Sequence, residues 1–334
     1  MRCNMNPTIE AFFTDKIVVE AAKRYGFMPE ELILLGKNQN FTYGSKNEAC
    51  NLIIRIIHES HRTLELIHGE LEWIQYLAKN GVPVSYPVKS SNGELIEKMN
   101  GFFVVAFHKG LGASWSDKIS QNEEFNKLGE IAGRMHALAK KYVPSTAEIT
   151  RYDWQKNSYL QEFITYIPSS QNLVIAHFES LMQRVHKLSR GSENFGLIHG
   201  DFCFGNYTVQ PNGSITVFDF DECQYGWFTQ DISVNLFYGI AVPSPDEDVP
   251  TFVKRYLTSF LEGYEKENTI DIRLLRDLPL FMDLRQAILY SALYRNGNIE
   301  ALDGWSREFL KRARYNMENN ISLIEPDDIL NFIT

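Results

Sequence analysis

Apolar positions along the chain follow a mixed, strand-rich pattern up to about residue 107 and a helical one after it. Ile9, Phe12, Phe13, Ile17, Val18, Ala21, Ala22 and Tyr25 lie on one helical stripe, which predicts an N-terminal helix within residues 1–27. Leu32–Leu35 and Ala49–Ile57 are apolar runs of strand length, and the polar segment GKNQNFTYGSKN between them reads as turn-like. Leu64, Ile67, Leu71, Ile74 and Leu77 restore helical spacing between Thr63 and Asn80, and Gly81 and Pro83 end it. Two strands are expected to flank the turn Ser91-Asn92-Gly93, and a further apolar strand runs from Phe102 to Phe107. Helical periodicity then covers 122–140, 154–190, 228–240, 250–266, 272–296 and 304–320. One β island interrupts it from Gly196 to Phe220, with Pro211-Asn212-Gly213 as a hairpin turn. The plan is a small antiparallel β-rich lobe with one inserted helix over 1–107 and a large, mainly helical lobe over 108–334. Chemistry is expected in a cleft where two such lobes meet.

Length supports that division, because 334 residues exceed the usual size of one hydrophobic core. The proportions of hydrophobic (44%) and charged (22%) residues are those of a folded soluble chain, not a disordered one. No apolar run has the length of a membrane span. The opening MRCNMNPTIEAFF lacks a cationic segment followed by an apolar stretch and a small-residue cleavage site, so a cytoplasmic location is expected. Cys3, Cys50, Cys203 and Cys223 form no CxxC pair and read as free thiols. A net charge of −9 argues against a nucleic-acid partner and is compatible with a cationic small molecule; solubility alone also accounts for it. No segment stands out as an interface, so the sequence leaves the oligomeric state open.

The strongest chemical signal lies in the β island, Ile198-His199-Gly200-Asp201-Phe202-Cys203-Phe204-Gly205-Asn206, followed by Val217-Phe218-Asp219-Phe220-Asp221. Phosphoryl transfer from ATP requires a carboxylate to accept the acceptor hydroxyl's proton and oxygen ligands to hold Mg²⁺ against the phosphates. Protein kinases supply these through H-R-D-x-x-x-x-N and D-F-G. Here Asp201 precedes Asn206 by the same five residues, and Asp219 ends the following hairpin strand. Any one of the three alone would read as a turn-former. Together, at these spacings between apolar strands, they point to a metal-assisted phosphotransfer site in a two-lobed, protein-kinase-like α+β fold.

On these residues the chain resembles the aminoglycoside phosphotransferase and choline kinase superfamily, which carries H-G-D-x-x-x-x-N and then a hydrophobic-Asp-aromatic motif. The resemblance runs from about Leu32 to Tyr264 and is densest at 197–231. It implies an ATP- and Mg²⁺-dependent phosphotransferase with Asp201 as catalytic base, Asn206 and Asp219 as metal ligands, and Asp231 as a buried structural anchor. His199 would orient the catalytic loop without acid–base work, and His136 in GRMHALAK would be a packed structural residue. The implied acceptor is a hydroxyl of a small molecule of aminoglycoside, choline or homoserine type.

In the small lobe Arg55 is the only charge in the run LIIRII, and a cation on a half-buried strand needs a counter-charge. Glu70 on the next helix is the expected partner; Glu72 competes but lies about 200° around that helix. The pair looks like the Lys–Glu ion pair of kinases with Arg replacing Lys, and a guanidinium can hold phosphate oxygens bidentately. Gly36–Tyr43 would cover the phosphates, with Asn40 as a contact, although it holds a single glycine. Phe107 and His108, at the lobe connection, would offer backbone groups to adenine's edge. Asp153, Trp154, Asp221, Glu222, Trp227, Tyr264, Arg285, Tyr290 and Trp305 are candidates for the acceptor pocket. Asp221-Glu222 reads equally as a receiver of an ammonium group or as a solvated turn, and the aromatic residues read also as core.

Asp219 and Asp231 are twelve residues apart, which leaves no room for the activation segment of a eukaryotic-type protein kinase, and Gly200 replaces the Arg that would grip its phosphosite. A small acceptor leads for that reason. The alternatives are a protein Ser/Thr kinase of the bacterial stress-response type and a non-catalytic kinase-like binding module. A metal-dependent hydrolase built on His199 and Asp201 lacks a second His/Asp cluster at ligand spacing.

Overall fold

The computed structural model describes residues 7–47, 50–113, 121–241, 247–295 and 299–333. The expected free thiol Cys3 and the start of the strand expected at Ala49 lie outside these residues. The chain divides into two compact units: Met1–Leu111 with Pro144–Thr150 and Thr216–Phe218, and Gly112–Val143 with Arg151–Ile215 and Asp219–Thr334.

The first unit opens with two helices where one stripe was expected, α1 (Pro7–Phe12) and α2 (Asp15–Arg24). The break falls at Phe13-Thr14. Thr14 is extended at φ −125°, and the Phe13 ring leaves the helix to stack on Phe41 at 3.6 Å between centroids. Next come β1 (Leu32–Lys37), β2 (Phe41–Ser45) and β3 (Leu52–His58), then α3 (Leu64–Lys79). The turn-like reading of GKNQNFTYGSKN is corrected here, since only residues 38–40 make the turn and Phe41–Ser45 is a strand. Buried Phe41, packed against Phe13 and Phe102, holds that polar stretch in the sheet. After α3 follow β4 (Pro87–Val88), β5 (Glu97–Met99) and β6 (Phe102–His108).

The sheet runs β1-β2-β3-β6-β4 with β5 also pairing β6, and all of its pairs are antiparallel. Asn100 and Gly101, both at positive φ, make the two-residue turn between β5 and β6. Thr63 caps α3 by accepting from the Leu66 N–H, and Ile67, Leu71, Ile74 and Leu77 form its buried stripe.

The second unit contains α4 (Gln121–Ala139), α5 (Ser158–Gln161), α6 (Phe163–Tyr166) and α7 (Asn172–His186). The helix expected over 154–190 is thus broken into pieces. Asn157 caps α5, and Pro168 separates α6 from α7 by disfavouring helical conformation at Ile167, which is extended at φ −83°, ψ 129°. The β island follows as β7 (Phe195–Ile198), β8 (Tyr207–Val209) and β9 (Ile215–Val217), whose residues from Thr216 on are counted with the first unit, and a tight turn has the Gly213 N–H donating to Gln210 O. A strand absent from the sequence reading, β10 (Gln224–Trp227), pairs antiparallel with β7. Then come α8 (Phe228–Ala241), α9 (Val249–Tyr264), α10 (Leu278–Arg295), α11 (Gly304–Asn319) and α12 (Pro326–Ile333). Helices α4 and α9 cross so closely that a Cβ on Gly263 would lie 1.8 Å from the Asn126 carbonyl oxygen. Helix α10 is buried around nearly its whole circumference. Among the described residues no helix is long and apolar enough to cross a membrane.

Candidate active site

The candidate catalytic loop begins where β7 ends. Its first two amides are fixed by one carboxylate: His199 N–H and Gly200 N–H each donate to Asp231 on α8, at 2.8 Å to Oδ2 and Oδ1 respectively. Asp231 is fully buried and also receives His136 Nε2 of α4 at 3.4 Å. His136 stacks on Phe228, and its Nδ1 meets the Tyr264 hydroxyl at 3.0 Å, so it is packed on every side. Gly200 turns the chain at φ +80°, where a Cβ would sit 2.3 Å from the Glu222 carbonyl oxygen. Only glycine fits that combination of dihedral angle and contact. His199 Nδ1 accepts from the Asp201 N–H at 3.3 Å, and its ring packs 4.3 Å from that of Phe220.

This loop projects Asp201 with both carboxylate oxygens engaged. Oδ1 accepts from Arg285 Nη2 of α10, and Oδ2 accepts from Asn206 Nδ2 at 3.1 Å. The same Asn206 nitrogen donates to the Asp201 carbonyl at 2.8 Å. With its nitrogen so committed, Asn206 has its amide oxygen left for a hard cation. Asp219 is exposed at φ +62°, ψ +63°, a left-handed conformation uncommon outside glycine and asparagine. One amide oxygen and one carboxylate are the hard donors that suit Mg²⁺ when phosphate and water complete the shell. Among the described residues, no group of three or more His, Cys, Asp and Glu side chains converges on a possible metal site.

Arg285 is 7% exposed and also donates to the Tyr238 hydroxyl at 2.7 Å. Burial opposes its charge, but the Asp201 carboxylate and the Tyr238 hydroxyl more than offset that, so its pKa is raised. Burial likewise pushes the Tyr238 hydroxyl up, and it pushes up the Cys203 thiol, helped there by the charge of Asp201. Cys203 is thus a packed thiol whose environment disfavours the thiolate.

In the first unit Arg55 of β3 and Glu70 of α3 form a buried ion pair. Nη2 lies 2.7 and 2.6 Å from the two carboxylate oxygens, and the guanidinium sits 5.0 Å over the Phe107 ring. Glu72 points elsewhere and accepts from the Ser145 N–H at 2.8 Å. Asn40 is half-buried at the tip of the β1–β2 hairpin. The backbone of His108 departs from the expected role. Its N–H donates to Tyr86 O at 2.9 Å and its carbonyl accepts from Ser85 Oγ, because β6 extends one residue further and closes against 85–86. The next amide, Lys109, donates to Asn51 O at 2.8 Å, and the N–H that follows it is that of buried Gly110.

Several residues expected to line an acceptor pocket belong to the core. Trp154, Tyr264 and Tyr290 are at most 1% exposed. Trp154 and Trp227 do face a cation, but it is the chain's own Arg190, which lies 5.7 and 5.5 Å from their rings and pairs with Asp153 at 2.9 Å. Trp305 stacks on Phe309. Asp221 is buried, not a solvated turn residue, and Arg151 holds its carbonyl and that of Cys223. Glu222 accepts from the Tyr152 hydroxyl at 3.2 Å. The sequence reading placed Arg285 in a pocket wall and missed its bond to Asp201. A weaker form of the signal that marked Arg55 was present: between Leu278 and Tyr294 of α10, Arg285 and Asp283 are the two charges in an otherwise mostly apolar run.

The geometry can be set beside known proteins. The sequence profile of the phosphotransferase enzyme family matches residues 35–268. Amicoumacin kinase of Bacillus subtilis (strain 168) is 31% identical over 314 residues, spanning 92% of this chain and 93% of that protein. A solved structure of an amicoumacin kinase in complex with AMP-PNP, Ca²⁺ and Ami superposes with a TM-score of 0.90 at 31% identity, covering 97% of this chain and 100% of that one. A microcompartment-associated aminopropanol kinase, at 20% identity, shares the fold with a TM-score of 0.72 over 96% of this chain and 100% of its own. The chain belongs to the phosphotransferase enzyme family, within the aminoglycoside phosphotransferase and choline kinase superfamily of protein-kinase-like fold.

Proposed function

We infer that the enzyme moves the γ-phosphate of ATP to a hydroxyl of a small molecule in the cytoplasm, with Asp201 as general base. The observation that carries this reading is the fixed carboxylate of Asp201, held by Asn206 and Arg285 on a loop anchored to Asp231. Asp201 takes the proton as the acceptor oxygen bonds to phosphorus and the bond between phosphorus and the β–γ bridging oxygen breaks, releasing ADP. Asn206 Oδ1 and the Asp219 carboxylate would hold Mg²⁺, whose charge would offset that of the phosphate oxygens. The unit that begins the chain would bind the nucleotide. Arg55, oriented by Glu70, would meet phosphate oxygens, and Asn40 would sit over them. Phe107 would flank the adenine, and the Gly110 amide replaces that of His108 at adenine's edge.

The acceptor would lie against the second unit. The amicoumacin kinase relative makes amicoumacin the first acceptor to test, ahead of aminoglycosides, choline and homoserine. Acceptor-dependent ADP release by wild type, lost in Asp201→Asn while Mg·ATP still binds, is the expected result. Undiminished turnover in the variant would overturn the assignment. Asp219→Ala should weaken Mg·ATP binding itself, and an unaltered Mg²⁺ dependence would remove Asp219 from the metal site.

A further inference from the structure

We propose that Arg285, braced by Tyr238, is a positioning residue that aims the Asp201 carboxylate at the acceptor hydroxyl. The inference rests on Asp201 being the base.

A carboxylate at the tip of a loop can rotate about two side-chain torsions, and a general base must keep one lone pair on the incoming proton. Asn206 restrains one oxygen and the carbonyl of Asp201 through a single nitrogen. That nitrogen belongs to a residue expected to be drawn toward a metal, so its hold alone leaves the plane of the carboxylate loosely set. Arg285 supplies the second restraint from a different element. It reaches Asp201 from α10, a helix buried nearly all round, while its own Nη2 is held at 2.7 Å by a hydroxyl from α8. The guanidinium also lies 5.2 Å over the Tyr238 ring. A cation so deeply buried is costly unless paired, and Asp201 is the carboxylate it pairs with among the described residues. The plane of Asp201 is therefore set at one oxygen by Asn206 of its own loop and at the other by Arg285 of α10, which Tyr238 of α8 braces. A misplacement of about 1 Å in such a group can lower turnover on the order of 10²-fold.

The test is a kinetic cycle on the full chain with Mg·ATP and the best acceptor. Arg285→Gln should lower kcat on the order of 10²-fold with KM for Mg·ATP unchanged. Arg285→Lys, which keeps the charge but not the planar guanidinium over Tyr238, should recover part of that loss. Tyr238→Phe, which leaves Asp201 its partner but frees the guanidinium, should give a smaller drop in kcat and guards against misfolding of the Arg285 variants. The deciding comparison is made in single turnover: in an Asp201→Asn background, Arg285→Gln should cause no further loss. A folded Arg285→Gln enzyme with wild-type kcat would overturn the proposal, as would its full loss adding to that of Asp201→Asn. A fully active Asp201→Asn enzyme would instead sink the assignment of the base and leave the contact as an unrelated structural pair.

Discussion

Two buried carboxylates, one in each compact unit, are satisfied by different chemistry. Glu70 meets a guanidinium, with Arg55 Nη2 at 2.7 and 2.6 Å from its two oxygens. Asp231 meets the backbone, with one amide of the catalytic loop on each oxygen at 2.8 Å. The first arrangement joins two side chains and leaves the backbone of β3 and α3 to the sheet and helix that already satisfy it. The second holds main chain that no strand or helix holds, since β7 ends at Ile198. A charge pair can exchange its partner for a phosphate; a carboxylate clamped on two N–H groups cannot be replaced without freeing the loop. The difference suggests one element built to respond to ligand and one built to stay fixed.

The sharpest way to break that comparison is at Asp231. Asp231→Ala strands the two loop amides and removes the contact to His136, and at about 1–3 kcal/mol for each amide the loss should reach about 3–5 kcal/mol of stability. Turnover should vanish with it. Asp231→Asn is isosteric but places an amide nitrogen against one loop N–H, so it should fail nearly as badly in denaturant unfolding and in the kinase assay. An Asp231→Asn enzyme of wild-type stability and rate would show that shape, not hydrogen-bond acceptance, holds the loop.

Glu70 should give the next largest effect. Glu70→Ala takes the carboxylate away from a buried guanidinium, at a cost of about 3 kcal/mol, and should raise KM for Mg·ATP more than it lowers kcat. Replacing both members, Arg55→Leu with Glu70→Leu, should return most of the stability without returning ATP affinity. Recovery of both together would mean that the pair serves packing alone.

How far each arrangement could be read from the sequence follows from the same chemistry. Arg55 and Glu70 were legible because a charge inside LIIRII has to find a partner, and helical geometry separates Glu70 from Glu72. The role of Asp231 came only through family resemblance, because its two shortest bonds go to main-chain amides, which leave no mark in the sequence. The β island and most C-terminal helices followed from periodicity, whereas β2 did not, since its polar residues hide one buried aromatic, Phe41. Strand β10 was missed for a related reason: Gln224-Tyr225-Gly226-Trp227 carries no apolar run, and its place comes from pairing with β7. The committed amide of His108 could not be foreseen, because a backbone donor's partner depends on where the neighbouring loop ends.

A third buried carboxylate sharpens the comparison by lacking either solution. Asp283 on α10 is 3% exposed, accepts from Ser322 Oγ at 3.2 Å through Oδ2, and has no hydrogen-bond partner at Oδ1 among the described residues. Burial pushes its carboxyl up to about 6, with the more distant charge of Arg184 only partly countering the rise. Its folded-state pKa thus exceeds the unfolded value near 4, so between those values the native state binds more protons than the unfolded one. Stability should therefore fall as pH rises from about 4 to 6, the reverse of an ion-paired carboxylate, and the penalty should persist at neutral pH. Asp283→Asn removes the titration, and it should stabilise the enzyme at pH 7 by about 1–2 kcal/mol, below the ~3 kcal/mol that the shift itself allows, because the amide also buries unpaired hydrogens. Near pH 4, where Asp283 is already neutral in the folded protein, the gain should give way to a loss of about 1 kcal/mol from the unpaired amide hydrogens. Urea unfolding of wild type and Asp283→Asn across that range decides it: a constant difference between the two curves would mean that some partner holds Asp283 ionised, as Arg55 does Glu70.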